Sequence, residues 1–287
     1  MNQEIDFVKC SPASNMTILI MGELPADQHA HIASQIMDYS HLCAEQVGFV
    51  EKPTLPGCAA KLRMAGGEFC GNACLALAAC LASERTLRPG ETLEMPLEVS
   101  GAEFPVFCRV EKLDRDYMCE AGMPIPTAVE NAVIPFEGLL LELGIVRYGG
   151  FFHLVIDNER FALEPAAAER LAKLLGVVSG DNLVGVMLYR PSSRELAPLI
   201  YIPALGSLIW ERGCGSGTAS VGCYLAWNGR DSVDVPVHQP GGIIHVHVSW
   251  NGGEITGVTI ESAVGIVARG KTYVDDCIQY SLQGGNG

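Results

Sequence analysis

Two stretches of this 287-residue chain, 144 positions apart, repeat one another. Cys70-Gly71-Asn72-Ala73-Cys74-Leu75-Ala76 runs on to Cys80-Leu81-Ala82. Cys214-Gly215-Ser216-Gly217-Thr218-Ala219-Ser220 runs on to Tyr224-Leu225-Ala226. Other pairs keep the same order. Val47-Gly48-Phe49-Val50 before Lys52-Pro53 matches Val184-Gly185-Val186-Met187 before Arg190-Pro191, and Met95-Pro96-Leu97 matches Val235-Pro236-Val237. A repeat spanning half the chain limits the fold to two like units packed together. We expect an N-terminal half, 1–128, carrying Cys70, and a C-terminal half, 129–267, carrying Cys214. The junction falls at Pro124–Pro126 or in the following Thr127–Asn131, and the segment 268–287 is free to pack back on the first half.

Apolar or alternating runs bounded by Gly and Pro predict strands at Met16–Met21, Phe104–Val110, Phe152–Ile156, Leu183–Leu188 and Ile243–Val248. Amphipathic spacing predicts helices over Ala26–Tyr39 and Ala166–Leu175. The repeat segments predict two Ala-rich buried helices, each beginning just after Cys-Gly. Strands alternating with single helices give an α/β (α+β) fold of two pseudo-symmetric halves, each a sheet wrapped around a central helix. The tail Gln283–Gly287 is expected to fray.

Composition narrows the function. Hydrophobic residues make up 48% of the chain, enough for a large core. The formal charge of −14 speaks against phosphate-backbone binding and against anionic membrane surfaces. No apolar run approaches a membrane span, and Met1–Thr17 lacks the pattern of a secretory signal. Eleven cysteines in such a chain read as free thiols in a reducing, cytoplasmic setting.

The chemistry lies where the two buried helices start. Free N–H groups and the positive end of a helix stabilise an anion there, so Cys70 and Cys214 are placed to have lowered thiol pKa values. Gly71, Asn72, Gly215, Ser216 and Gly217 leave those N–H groups open to a ligand carboxylate. Two such sites related by the repeat make a pincer. A pincer of two acid/base groups suits removal of a proton from one face of a carbon and its return to the other.

Cys74, Cys80 and Cys223 read as packing residues. The spacing Cys70-x3-Cys74-x5-Cys80 does not present one helical face to a metal. His245 and His247 share a strand face and read as solvent-facing polar positions, and His153 reads as a satisfied structural histidine. No metal site is expected.

Cys-Gly-Asn and Cys-Gly-Ser-Gly, each opening a central helix, resemble the diaminopimelate epimerase and proline racemase superfamily. The chain is more closely similar to the histidine racemases that supply D-histidine for opine-type metallophores. That similarity is carried by Asn15-Met16-Thr17-Ile18-Leu19, Glu45-Gln46-Val47-Gly48-Phe49, Glu68-Phe69-Cys70-Gly71-Asn72-Ala73, Pro198–Pro203, Ser207–Glu211, Cys214–Ser220 and Val237–Gly242. The resemblance implies a diaminopimelate-epimerase-like fold and an isomerase that needs no cofactor. It implies Cys70 and Cys214 as catalytic bases and a substrate site of Asn15, Gln46, Gly71, Asn72, Glu211, Gly215, Ser216 and Gly217. The partner is a small amino acid, and homodimers occur in the family.

The departures bear on substrate. Diaminopimelate epimerases place Glu-Arg-Gly several residues before the second cysteine, whereas Glu211-Arg212-Gly213 abuts Cys214. Phe151-Phe152-His153 and Leu183-Val184-Gly185 stand where those enzymes have Asn-Pro-His and Asn-Val-Gly. Loss of the asparagines removes hydrogen bonds that a buried distal ammonium and carboxylate need. An imidazole suits the site better, with Glu45, Gln46 or Glu211 in line to bond its ring nitrogens. A diaminopimelate or other amino-acid epimerase is the alternative. A thiol or metal-binding protein on the same fold is the non-enzyme alternative.

Overall fold

Apolar strands must pair to satisfy their backbone groups, and in this chain they pair twice in one pattern. The computed structural model describes residues 2–275. The first series is β1 (Asn2–Pro12), β2 (Thr17–Met21), α1 (His29–Met37), β3 (Gln46–Glu51), β4 (Lys61–Met64), α2 (Gly71–Ser83), β5 (Thr92–Val99), β6 (Val106–Lys112) and β7 (Tyr117–Gly122). The second begins with β8 (Ala128–Phe136), β9 (Leu139–Tyr148), β10 (Phe151–Asp157), the short α3 (Asn158–Phe161), α4 (Pro165–Ser179) and β11 (Leu183–Arg190). It continues through β12 (Glu195–Ile202), β13 (Ser207–Trp210), α5 (Gly215–Gly229), β14 (Val233–Gln239), β15 (Gly242–Asn251) and β16 (Glu254–Asp275).

Strands β2 and β3 are parallel with α1 as crossover, and β10 and β11 repeat this with α3 and α4. Helix α2 carries the chain from β4 to its parallel partner β5, as α5 carries it from β13, the antiparallel partner of β12, to β14, which lies parallel to β12. Each series closes as an antiparallel meander, β5–β6–β7 and β14–β15–β16. The halves then exchange ends. Strand β8, which follows β7 in the chain, pairs with β9 of the second series, while the 22-residue β16 pairs with β7 over Thr259–Val264 and with β1 over Val264–Asp275. The result is a mixed α+β fold built mostly of sheet.

A helix that is apolar on every face is stable only when every face is covered. Eleven of the thirteen α2 residues are buried, and Leu75 and Leu77 are fully so, worth about 1.5–3 kcal/mol each. Helix α5 tolerates glycine in its interior because the sheet comes so close. A Cβ on Gly222 would stand 2.6 Å from Val246 Cγ2. One continuous core surrounds both central helices, and two smaller clusters lie beneath α1 and α4. No helix among the described residues is long and apolar enough to cross a membrane.

The element boundaries moved in places. The first amphipathic helix starts as a 3₁₀ turn at Ala26–Gln28 and ends before Asp38. Helix α4 extends to Ser179, where Gly180 in the left-handed region ends it. The strand expected at Phe104 begins at Val106, after Pro105. The long β1 and β16 carry no uniform apolar run, since their faces alternate between core and solvent, and periodicity did not mark them. Residues 276–287, including the tail expected to fray, lie outside the described residues.

Candidate active site

Both cysteines occupy the residue that starts a helix. Cys70 and Cys214 are extended (φ −137° and −112°) and act as N-caps, a position usually held by Ser, Thr, Asp or Asn. Cys70 Sγ accepts the Ala73 N–H at 3.4 Å, and Cys214 Sγ accepts the Gly217 N–H at 3.2 Å, with Ser216 Oγ 3.5 Å away. The two helix starts meet over Ile260 of β16. A Cβ on Gly71 would lie 3.0 Å from Ile260 Cδ1, and one on Gly215 would lie 2.9 Å from the same atom and 3.0 Å from Asn72 Oδ1.

A chain of polar contacts runs from the Cys70 thiol to the peptide just ahead of Cys214. The Cys70 thiol donates to Gln46 Oε1, Gln46 Nε2 donates to Asn15 Oδ1, and Asn15 Nδ2 donates to Gly213 O at 3.0 Å. Asn72 Nδ2 donates to the same carbonyl at 2.9 Å. Thus Asn15 and Asn72, both from the first half, grip the peptide just ahead of Cys214. The sequence placed these asparagines against the substrate. In the structure their amide nitrogens stitch the halves together, and the buried Asn72 Oδ1 has no hydrogen-bond partner.

Gln239, at the end of β14, was not singled out by spacing. Its Oε1 accepts the Cys214 N–H at 2.8 Å, its Nε2 donates to Thr218 Oγ1 at 2.8 Å, and that hydroxyl donates to Cys214 O at 2.7 Å. The signal lay in Val237–Gly242, which carried the resemblance without a stated role. The turn Ala13–Ser14, with both residues in the left-handed region, packs against the glycines around it. A Cβ on Gly213 would stand 2.5 Å from Ala13 O and one on Gly241 2.2 Å from it, so neither position has room for a side chain.

Electrostatics correct one expectation. The helix N–H groups do lower both thiols, but burial acts more strongly and desolvation of the thiolate dominates. Burial pushes Cys70 up to about 12, and Cys214 well above its ordinary value, with the negative charge of Glu211 adding to both. Glu211 in turn is raised to about 7, by burial first and also by the charge of Glu45, while the neighbouring Cys214 thiol lowers it. With no substrate bound, both thiols are therefore protonated at neutral pH.

His153 sits deeper, fully buried, with Nδ1 2.8 Å from Ser220 Oγ, itself 2.9 Å from Tyr148 Oη. Burial holds it down to about 4, hence neutral. Its Nε2 has no partner, so it is only half satisfied. Cys74, Cys80 and Cys223 are buried packing residues. All ten residues named for the site gather around the two helix starts.

A family model described as the histidine racemase CntK N-terminal domain matches residues 4–273. The chain belongs to this family. A histidine racemase of Staphylococcus aureus strain Mu50 is 34% identical over 280 residues, covering 95% of this chain and 99% of that protein. A diaminopimelate epimerase of Xylella fastidiosa strain M12 is 26% identical over 234 residues, 74% of this chain and 77% of the other. In fold, the chain is similar to the crystal structure of a hydroxyproline epimerase from Agrobacterium vitis with bound trans-4-hydroxy-L-proline. The TM-score is 0.67 at 13% identity, over 96% of this chain and 94% of that one. Racemases and epimerases are isomerases, and this family member is one.

Proposed function

We propose that the enzyme interconverts L- and D-histidine without pyridoxal phosphate, with Cys70 and Cys214 as the two bases. The observation that carries the reading is the pair of thiols capping two converging helices, with a hydrogen-bonded chain running from Cys70 to the Gly213 carbonyl beside Cys214. The α-carboxylate binds between the helix starts, to the N–H groups of Gly71, Asn72, Gly215 and Ser216, while the Gly217 N–H stays on the Cys214 sulfur. Those groups then stabilise the charge that develops as the Cα proton leaves. One cysteine, as thiolate, takes that proton, and the other, as thiol, delivers its own to the opposite face. Proton count is conserved, and the two cysteines exchange states with each turnover.

Glu211 supplies the acceptor that makes a thiolate accessible. Ionised, it takes the Cys214 proton, and the incoming α-ammonium stabilises the resulting anion. Gln46 is committed to Cys70 and Asn15, and Glu211 to Cys214, which leaves Glu45 for an imidazole N–H. Glu211 is raised, so the ionised fraction grows with pH through about 7. The acid limb of the kcat/KM profile should rise through that value. Glu211→Gln should replace this limb with one set by the thiols' own, much higher ionisation, so activity falls at neutral pH and keeps rising into the alkaline range. An unchanged profile in Glu211→Gln would show that Glu211 takes no proton.

Histidine is favoured over diaminopimelate by Phe151 and Leu183, which lie side by side in register at the starts of β10 and β11. They offer nothing polar to a distal charged group. D-histidine made in the cytoplasm for metallophore synthesis, by a homodimer, is the wider setting that the resemblance implies. Proton NMR in deuterium oxide with a panel of L-amino acids tests the reading. The histidine Cα–H signal should vanish as optical rotation falls to zero. Exchange of diaminopimelate alone would overturn the substrate but keep the two thiols, and no exchange in any amino acid would overturn the function.

A further inference from the structure

On the outer face of the sheet, away from the thiols, the strand register assembles a second cluster. We infer that Asp234, His245 and His247 form a binding site for one divalent transition-metal ion. His247 on β15 lies directly opposite Asp234 on β14, and His245 lies two residues away, opposite Pro236. Ile244, Val246 and Val248 fill the core side of β15, so both imidazoles are held on one outward face. His247 Nδ1 stands 3.1 Å from Asp234 Oδ1 and His245 Nδ1 3.9 Å from it, with the rings stacked at 6.0 Å. One donor atom from each residue falls within 4.8 Å of the other two.

Metal–nitrogen and metal–oxygen bonds of about 2.0–2.2 Å in a tetrahedral site place donor atoms about 3.3 Å apart. The His247–Asp234 edge already has nearly that length. The remaining edges close by small rotations of side chains that are 36%, 41% and 72% exposed. Two imidazoles and one carboxylate select zinc, nickel, cobalt or copper over magnesium or calcium, and three protein donors leave room for water. Glu261 faces His245 across β15 and β16 and adds an acidic neighbour on the same face. The sequence set both histidines aside as solvent-facing, because the carboxylate that completes the set lies on another strand. A bound ion would tie β14 to β15.

The thiols are the competing ligands, so the probe is Co²⁺ added to reduced full-length protein under anaerobic conditions. One equivalent should bind with visible d–d absorption and no sulfur-to-cobalt charge-transfer band. His247→Gln and Asp234→Asn should each weaken binding at least tenfold, and the double variant His245→Gln/His247→Gln should abolish it. Racemase activity and the metal-free unfolding midpoint should be unchanged in these variants. Binding that survives the double variant, binding that carries a charge-transfer band, or failure of the wild-type protein to bind would overturn the site.

Discussion

Cys70→Ser and Cys214→Ser are each expected to lose about 10³-fold or more in racemisation while keeping the fold. Serine is nearly isosteric and is a better N-cap than cysteine, so helices α2 and α5 should start where they do now. What is lost is the base. A hydroxyl cannot serve as a proton acceptor near neutral pH, and a positioned acid/base group contributes about 10²–10⁴-fold. The check is deuterium wash-in at Cα from L- and D-histidine separately, alongside thermal unfolding to show that the fold is intact. Near-normal racemisation by either variant would end the two-thiol mechanism.

The repeat made the duplicated fold legible. Helix starts at Cys70 and Cys214 and the burial of both helices follow from small, apolar residues at like positions, whereas the parallel β2–β3 and β10–β11 pairs were not foreseen. Long-range partnership was not legible. That β16 runs across both halves depends on alternation that looks like surface, and on pairing with β1 at the far end of the chain. The same limit explains Gln239 and the Asn15–Gly213 and Asn72–Gly213 contacts, whose partners are 25, 198 and 141 residues distant. Thiol acidity failed for another reason. Helix-end stabilisation is visible in sequence, but the opposing desolvation depends on how tightly the cleft closes, and here desolvation wins.

Gly213→Ala is the second change expected to act strongly, without touching an acid or a base. Gly213 has no left-handed φ to protect, so the cost is spatial. The new methyl would stand 2.5 Å from the backbone oxygen of Ala13 and 3.1 Å from its Cβ. Backbone gives less readily than a flexible side chain, so the Ala13–Ser14 turn must shift. Asn15 moves with that turn, its hydrogen bond to Gly213 O lengthens, and Gln46 and then Cys70 lose their fixed positions. A displacement of about 1 Å in a catalytic group costs about 10²-fold, and overpacking costs about 1–3 kcal/mol of stability. Gly229→Ala is the control, since a Cβ there meets nothing within 4 Å and a helical glycine gains from the change. We expect kcat/KM for histidine to fall about 10²-fold in Gly213→Ala and to hold in Gly229→Ala. Activity within threefold of wild type in Gly213→Ala would mean that the turn does not set the position of either thiol.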